Sequence, residues 1–339
     1  MNKPSWTKPD KRTEIWRMAV WPAWVFALLM TALLTLAACG QGEESPVAPM
    51  IKCPDGSSSE YGCALTPIAF MVGAEAQQQG SPPEFVWVSE IYTMHSDGSG
   101  VTQLTSNGKS DKAPTLSPNG TKIAFTSFRD GDWEIYVMSA DGSGQVNLTN
   151  NPANDMDPTW SPDGTKIAFG SNRDGKPGIY VMNADGSGQT MLTKEPAYDR
   201  SPTWSPDGTK IAFVSLRDIN DEIYVMSADG SGQVNLTNNP ANDLDPIWSP
   251  DGTKIALSSN RDGNDEIYVM SVDGSGPTNL TNSSVRERTP TWSPDGTRIA
   301  FSSQPDENWE IDVMNADGTT RSNLYKTTKG NAEAPSWGP

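Results

Sequence analysis

Short apolar stretches alternate with turn-forming residues along most of the chain, and the alternation recurs at a fixed spacing. Ser117, Ser161, Ser205, Ser249 and Ser293 each open a Ser-Pro-(Asn/Asp)-Gly-Thr-(Lys/Arg)-Ile-Ala segment, and successive starts lie 44 residues apart. The unit from Pro158 to Thr193 holds four apolar stretches, at Trp160, Ile167 to Phe169, Ile179 to Met182 and Met191-Leu192. Pro162-Asp163-Gly164, Arg173-Asp174-Gly175 and Asp185-Gly186-Ser187-Gly188 separate them, and Asp-Gly pairs suit tight turns because glycine tolerates positive φ. No stretch carries an apolar stripe of helical period long enough for a solenoid helix. Four short antiparallel strands per repeat make one propeller blade.

The ends of the chain set the blade count. Glu90 to Met94 and Ser96 to Gly100 lie 44 residues before the matching segments of the first full repeat, and Pro67-Ile68-Ala69-Phe70 reads as the second strand of that incomplete blade. Ala334 to Pro339 is a lone copy of a first strand, displaced by one inserted residue after Leu324. The prediction is an all-β fold: a six-bladed β-propeller of four-stranded antiparallel blades over 67–339, with the C-terminal strand completing blade one and closing the ring. A second register makes Cys53-Pro54-Asp55-Gly56 the first strand and turn of blade one and leaves the C-terminal strand surplus.

The combination W-S-P-D-G-T-K-I-A-F, N-R-D-G, E-I-Y-V-M and A-D-G-S-G resembles the WD-type propeller repeats of the TolB family over about 270 residues. Similar repeats occur in prolyl-oligopeptidase-like propellers and oligogalacturonate lyases, so the resemblance specifies fold more narrowly than function. It implies a non-enzymatic binding scaffold of the cell envelope. Tol-Pal members of the family bind the peptidoglycan-associated lipoprotein through the propeller, so the implied partner is an envelope protein of that kind. Family members also carry an α/β domain before the propeller and are soluble in the periplasm, whereas here about 28 residues separate Cys39 from the first propeller strand.

The leader supplies the location. Residues 1–17 hold five basic and two acidic side chains, and Met18 to Ala38 is an apolar run ending in Leu36-Ala37-Ala38-Cys39-Gly40. This reads as an export signal, and its end resembles the bacterial lipobox. Residues 1–38 are then a lipoprotein signal peptide and Cys39 the lipidated residue; an uncleaved membrane helix is the alternative, since 21 apolar residues can span the hydrocarbon. Either way the rest of the chain lies outside the cytoplasm, tethered to a membrane. Residues 39–66 form the tether, in which Cys53 and Cys63 are the obvious disulfide pair of an oxidising compartment.

Charge narrows the partners. The chain has 42 acidic and 25 basic side chains, a net charge of −17, and −20 once the leader is removed. Nucleic acid and anionic lipid surfaces are therefore disfavoured. One histidine, His95, argues against His-based triads, zinc sites and proton relays. No G-x-S-x-G elbow or spare length exists for a hydrolase domain. No enzyme, cofactor or metal is expected, and a closed ring defaults to a monomer.

A residue present in every blade is best explained by what every blade needs. Trp160, Trp204, Trp248, Trp292 and Trp337 are expected between neighbouring sheets, with Leu116 in the equivalent place and sugar stacking as the minor alternative. Asp111, Asp155, Asp199, Asp243 and Glu287, with Arg129, Arg173, Arg217 and Arg261, suggest inter-blade or capping contacts, and Pro305 breaks the arginine series. Strict alternation from the tryptophans points Thr115, Asp157, Thr159, Ser201, Thr203, Asp245, Ile247, Thr291 and Ser336 at the central channel. Thr115, Asp157, Thr159, Thr203, Asp245 and Thr291 are the candidate channel ligand-binding residues, for a cation or a carbohydrate. Asp157 and Asp245, from blades three and five, are not expected to share an ion. The acidic hairpins Asp218 to Glu222 and Asp262 to Glu266 offer hard oxygens without EF-hand spacing. Val72 to Trp87 replaces a short hairpin with a Gln-, Gly- and Pro-rich excursion, either a recognition loop or a disordered insertion. Trp133 and Trp309 are read as further exposed aromatics.

Overall fold

The computed structural model describes residues 51–52, 58–59, 65–78, 84–194, 197–328 and 330–339. Met18 to Ala38, Cys39, Cys53 and Cys63 lie outside them, as does all of the unit Met1–Pro49; Met50–Pro339 is a second unit. Among the described residues no helix is long and apolar enough to cross a membrane. A short antiparallel ladder joins Ile51–Lys52 to Ser58–Ser59.

Six four-stranded antiparallel sheets follow. Blade three is typical: Asp155–Trp160, Lys166–Ser171, Gly178–Asn183 and Thr190–Met191, hydrogen-bonded in that order. The inner strands of blades two, four, five and six are Asp111–Leu116, Asp199–Trp204, Asp243–Trp248 and Arg286–Trp292. Each inner strand packs on the inner strand of the next blade, which makes the ring.

Blade one is assembled from both ends of the chain. Its order is Asn331–Trp337, Pro67–Gln78, Glu84–His95, Thr102–Gln103, so the C-terminal strand is the inner strand and the alternative register at Cys53 is not adopted. Trp337 Nε1 donates to Thr66 Oγ1 at 2.6 Å and Gly338 N to Pro67 O at 2.8 Å. A Cβ on Gly338 would come within 2.7 Å of Leu116 Cδ1, so the chain end occupies space that an indole fills elsewhere. That accounts for leucine in blade two.

The core lies between blades rather than within them, because a β-sheet buries apolar residues only against a second layer. Trp160 of blade three, for example, packs on Ala124, Ile135 and Val137 of blade two. Phe70, Phe125, Phe169, Phe213 and Phe301 have no accessible surface. The repeated tryptophans are therefore inter-sheet packing groups, each buried in one junction.

The repeated charges make contacts inside a blade, not between blades. Arg129, Arg173, Arg217 and Arg261 reach Asp111, Asp155, Asp199 and Asp243 of their own inner strands at 2.8–3.0 Å. Each aspartate side chain is fully buried. In blades two to five each guanidinium also lies over a tyrosine ring of the third strand. Pro305 does not leave blade six without a cation. Arg321, from beside the outer strand, bonds Glu287 at 2.7 Å and Asp312 at 2.8 Å.

Candidate functional site

Each inner strand is interrupted by a bulge one residue before its proline. Ala113, Asp157, Ser201, Asp245, Thr289 and Ala334 have φ between 49° and 56°, one per blade. Each precedes a proline, where extended backbone is normally enforced. A left-handed conformation costs a residue with a Cβ roughly 1–2 kcal/mol. The bulge shifts the ladder register, for example between Met156 and Thr159. Strict alternation therefore fails: three consecutive residues per blade, prolines included, line the channel.

The predicted channel residues Thr115, Asp157, Thr159, Thr203, Asp245 and Thr291 line one cavity of about 210 Å³, as do Ser201, Ile247 and Ser336. Asp157 accepts from Ser201 Oγ of the next blade at 3.1 Å, and its N–H donates to Thr126 Oγ1 at 3.1 Å. Asp245 accepts from Ser258 Oγ at 2.9 Å and from the Thr289 N–H at 3.3 Å. Surrounding protein desolvates Asp245 and raises its pKa, its hydrogen bonds and Arg288 oppose the rise, and the charge of Asp157 adds to it. Each of the two aspartates has its own hydroxyl partner. Glu333 of blade one is also raised by burial, with Arg288 opposing. Among the described residues no group of three or more His, Cys, Asp or Glu is arranged to hold a metal.

A cation recurs in every second blade, one residue before the channel-lining segment. Lys112, Arg200 and Arg288 occupy equivalent positions in blades two, four and six, with Met156, Leu244 and Glu333 between them. Lys112 lies 4.0 Å over the Trp133 ring, Arg200 pairs with Asp221 at 2.8 Å, and Arg286 and Arg288 both pair with Asp265. The acidic hairpins consequently spend their oxygens inside the protein: Asp262 accepts from the Tyr268 hydroxyl, and Glu266 from Asn279 and the Ser283 N–H. Tyr136 and Tyr224 make the same bond to Asp130 and Asp218, and with burial as the larger cause their hydroxyls are pushed up to about 12.

The two ends of the blades differ. At one end, Asp163, Asp207, Asp251 and Asp295 each accept from a serine and a threonine in the first-to-second-strand turn. Asp97, Asp141, Asp185, Asp229, Asp273 and Asp317 do likewise with the Ser or Thr two positions on in the third-to-fourth-strand turn. All ten have lowered pKa values; for Asp207 the bond from Ser205 is the largest cause and the value falls to about 2. This end carries ten ionised turn aspartates against Lys122, Lys166, Lys210, Lys254 and Arg298 at the starts of the second strands, an excess of negative charge.

The opposite end, with the second-to-third-strand hairpins, carries exposed apolar groups: Ile219 at 97%, Trp87 at 58%, Tyr198 at 51% and Leu216 at 40%. Trp133 and Trp309 are half-buried rather than exposed; Trp133 stacks on Phe128 at 5.0 Å and Arg286 lies over Trp309. The excursion after Val72 is neither a loop nor unstructured over its described length. It continues the blade-one ladder as a β-ribbon, from Gly73↔Ser89 to Gln78↔Glu84, beyond the first residue of the inner strand, Asn331, which pairs with Gly73. Its length was hidden from sequence reading by the alanines and glutamines on one strand.

Comparison with known proteins agrees with this architecture. The profile of the TolB beta propeller domain matches residues 86–202 and 188–339. No curated protein sequence matches significantly. Among solved structures, TolB from Acinetobacter baumannii is similar at a TM-score of 0.70 and 24% identity over 80% of this chain, which spans 66% of that one. The putative TolB from Agrobacterium tumefaciens has a TM-score of 0.63 and 22% identity over 81% of this chain and 99% of its own. Hydrazine synthase of Kuenenia stuttgartiensis has a TM-score of 0.65 at 16% identity, over 81% of this chain and 47% of its own.

Proposed function

Because the chain belongs to the TolB beta-propeller domain family, we propose that it is a binding scaffold of the bacterial cell envelope that engages a protein partner through the hairpin face. The observation that carries this reading is the asymmetry of the two faces. Aromatic, isoleucine and arginine side chains gather where the hairpins are, and such residues supply the anchors of protein interfaces. Ten exposed turn aspartates occupy the other face, where they repel an acidic surface and resist the desolvation an apolar one would impose, whereas the hairpin aspartates are engaged by tyrosine and arginine partners. The remaining large exposed apolar groups, Leu65, Val101, Val146 and Val234, stand before blade one or along outer strands.

The anchoring belongs to the same proposal. Cys39 carries the lipid, residues 1–38 are removed, Cys53 and Cys63 close a loop in the tether, and residues 67–339 form a monomeric propeller held at the periplasmic or extracytoplasmic side of a membrane. The partner is an envelope protein, with a peptidoglycan-associated lipoprotein as the form the family suggests.

The test is site-specific photocrosslinking of the full-length protein in its native membranes, with the crosslinker at Ile219 on the hairpin face or at Asp229 on the aspartate face. One protein adduct formed from position 219 and absent from position 229 is the expected result. Equal adducts from both positions, or none from either, would overturn the reading. A Cys39→Ala chain that stays in the membrane fraction would separately remove the lipid anchor.

A further inference from the structure

Blade four departs from its neighbours at three places on the hairpin face. Blade three carries Asn154, Asn172 and Gly175, and blade five Asn242, Asn260 and Gly263, where blade four carries Tyr198, Leu216 and Ile219. The three large side chains are 51%, 40% and 97% exposed. Leu216 N–H donates to Tyr198 O at 3.2 Å, so these two adjoin, and Ile219 stands three residues on in the same hairpin.

The exchange lowers stability twice over. Gly131, Gly175 and Gly263 have φ of 105°, 96° and 113°, and Ile219 holds 96° at the equivalent place. A β-branched residue is strained there, because its Cβ crowds the backbone. A Cβ on Gly131, Gly175 or Gly263 would meet nothing within 4 Å, so the strain lies in the backbone alone. At 97% exposure Ile219 recovers none of it by packing. The second loss is a hydrogen bond. The N–H groups of Asn154 and Asn242 donate to Asn172 Oδ1 and Asn260 Oδ1 at 2.9 Å, and Leu216 has no such acceptor for Tyr198. Asn154 Oδ1 and Asn242 Oδ1 in turn accept from the N–H of Trp133 and Asp221, a use that Pro177, lacking an N–H, removes at position 198.

Strain that persists with no internal contact to hold it points to a function outside the propeller's own packing. The chemistry of the patch says what covers it. Ile219 protrudes, so its complement is concave. Arg200 and Arg217 beside it are committed to Asp221 at 2.8 Å and Asp199 at 3.0 Å, so its complement is also uncharged. An anionic lipid surface would need a cationic collar, and a second copy would bring together two chains of net charge −17. Resting on the reading that the hairpin face binds a protein, we propose that Ile219, Tyr198 and Leu216 anchor that contact, Ile219 being a strained knob that enters an apolar pocket of the partner.

The experiment places a photocrosslinker at Lys194, an exposed position four residues before Tyr198, in the full-length protein in its native membranes. The protein adduct is quantified there, and thermal unfolding of the same chains is followed by tryptophan fluorescence in detergent. Ile219→Asn, whose side chain tolerates positive φ, should unfold about 2–4 °C higher and lose the adduct at least tenfold. The triple variant Tyr198→Asn/Leu216→Asn/Ile219→Gly copies blade five and should do the same. Ile219→Leu keeps an apolar knob and should change the adduct less than threefold. Gly263→Ile moves the strain to blade five, so it should lower the midpoint and leave the adduct unchanged. An adduct retained by the triple variant, or a midpoint that Ile219→Asn does not raise, would overturn the proposal while leaving the protein partner in place. A crosslinker at Ile219 that yields only lipid adducts, or an adduct of twice the chain's mass, would overturn it in favour of a membrane or a second copy. No protein adduct from either position in the parent would remove the hairpin-face reading as well.

Discussion

The two faces of the ring are ends of the same strands, yet they obey different rules. On the turn face nearly every blade repeats the same aspartate with the same serine and threonine donors. Asn119 of blade two takes the identical bonds through its amide oxygen, from Ser117 and Thr121. On the hairpin face, equivalent positions hold Trp133, Pro177, Asp221, Asp265 and Trp309. Uniformity marks what each blade needs in order to close its turns. Divergence marks where the fold has left the sequence free, and a recognition surface can only be written there.

The sharpest way to break that comparison is beneath the hairpin face, at the buried ion pairs. Arg217→Ala strands a fully buried Asp199 and should cost about 3 kcal/mol, because the remaining charge has no counter-ion. Arg321→Ala should cost more, about 4 kcal/mol, since Arg321 serves both Glu287 and Asp312. Urea midpoints of the two variants decide it. If Arg217→Ala is the more damaging, Arg321 is not the functional replacement of the arginine that Pro305 displaces.

These residues also show where sequence reading stops. The 44-residue period, the six blades and the closing strand were legible because they depend on local turn chemistry and on apolar spacing. Half of the channel lining was legible, the nine residues from Thr115 to Ser336; the six prolines with Ala113, Thr289 and Ala334 were not. The geometry that creates it was not: a residue before proline is expected to be extended, and six such residues adopt the left-handed region instead. Hydroxyls of the preceding blade meet three of the strained N–H groups, from Asp157, Thr289 and Ala334, at 3.0–3.1 Å. That support comes from about 31 residues away and leaves no local signal. Arg321 was missed for the same reason, since it lies outside the repeat position that the other arginines share.

A titration should separate the two kinds of carboxylate. The turn aspartates have folded pKa values below their unfolded ones, so they add stability above about pH 4, and it is lost as the pH falls, for Asp207 toward about 2. Asp245, Glu287 and Glu333 are raised mainly by burial, so the folded state binds their protons more tightly and loses stability as the pH rises above the ordinary carboxylate range. The two signs together place the maximum of thermal stability in mildly acidic buffer. Asp245→Asn should flatten the loss on the alkaline side. A stability that climbs steadily from pH 5 to 8 would show that the raised group is not controlled by burial.

The smallest expected effects sharpen the comparison most. Asp207→Asn keeps the amide oxygen that Asn119 already uses, so the accepted bonds survive; only the solvent-screened ionisation contribution of an exposed carboxylate is lost, and the unfolding midpoint at neutral pH should move little. Ile219→Ser, on an almost fully exposed side chain, should be equally silent in unfolding. The two variants then differ only in recognition. The turn-face change should leave the protein adduct formed from a crosslinker at Trp133 intact, and the hairpin-face change should reduce it severalfold. Equal adducts from both variants would mean that Ile219 is merely an exposed apolar residue, and that the divergence of the hairpins reflects the absence of constraint rather than a binding surface.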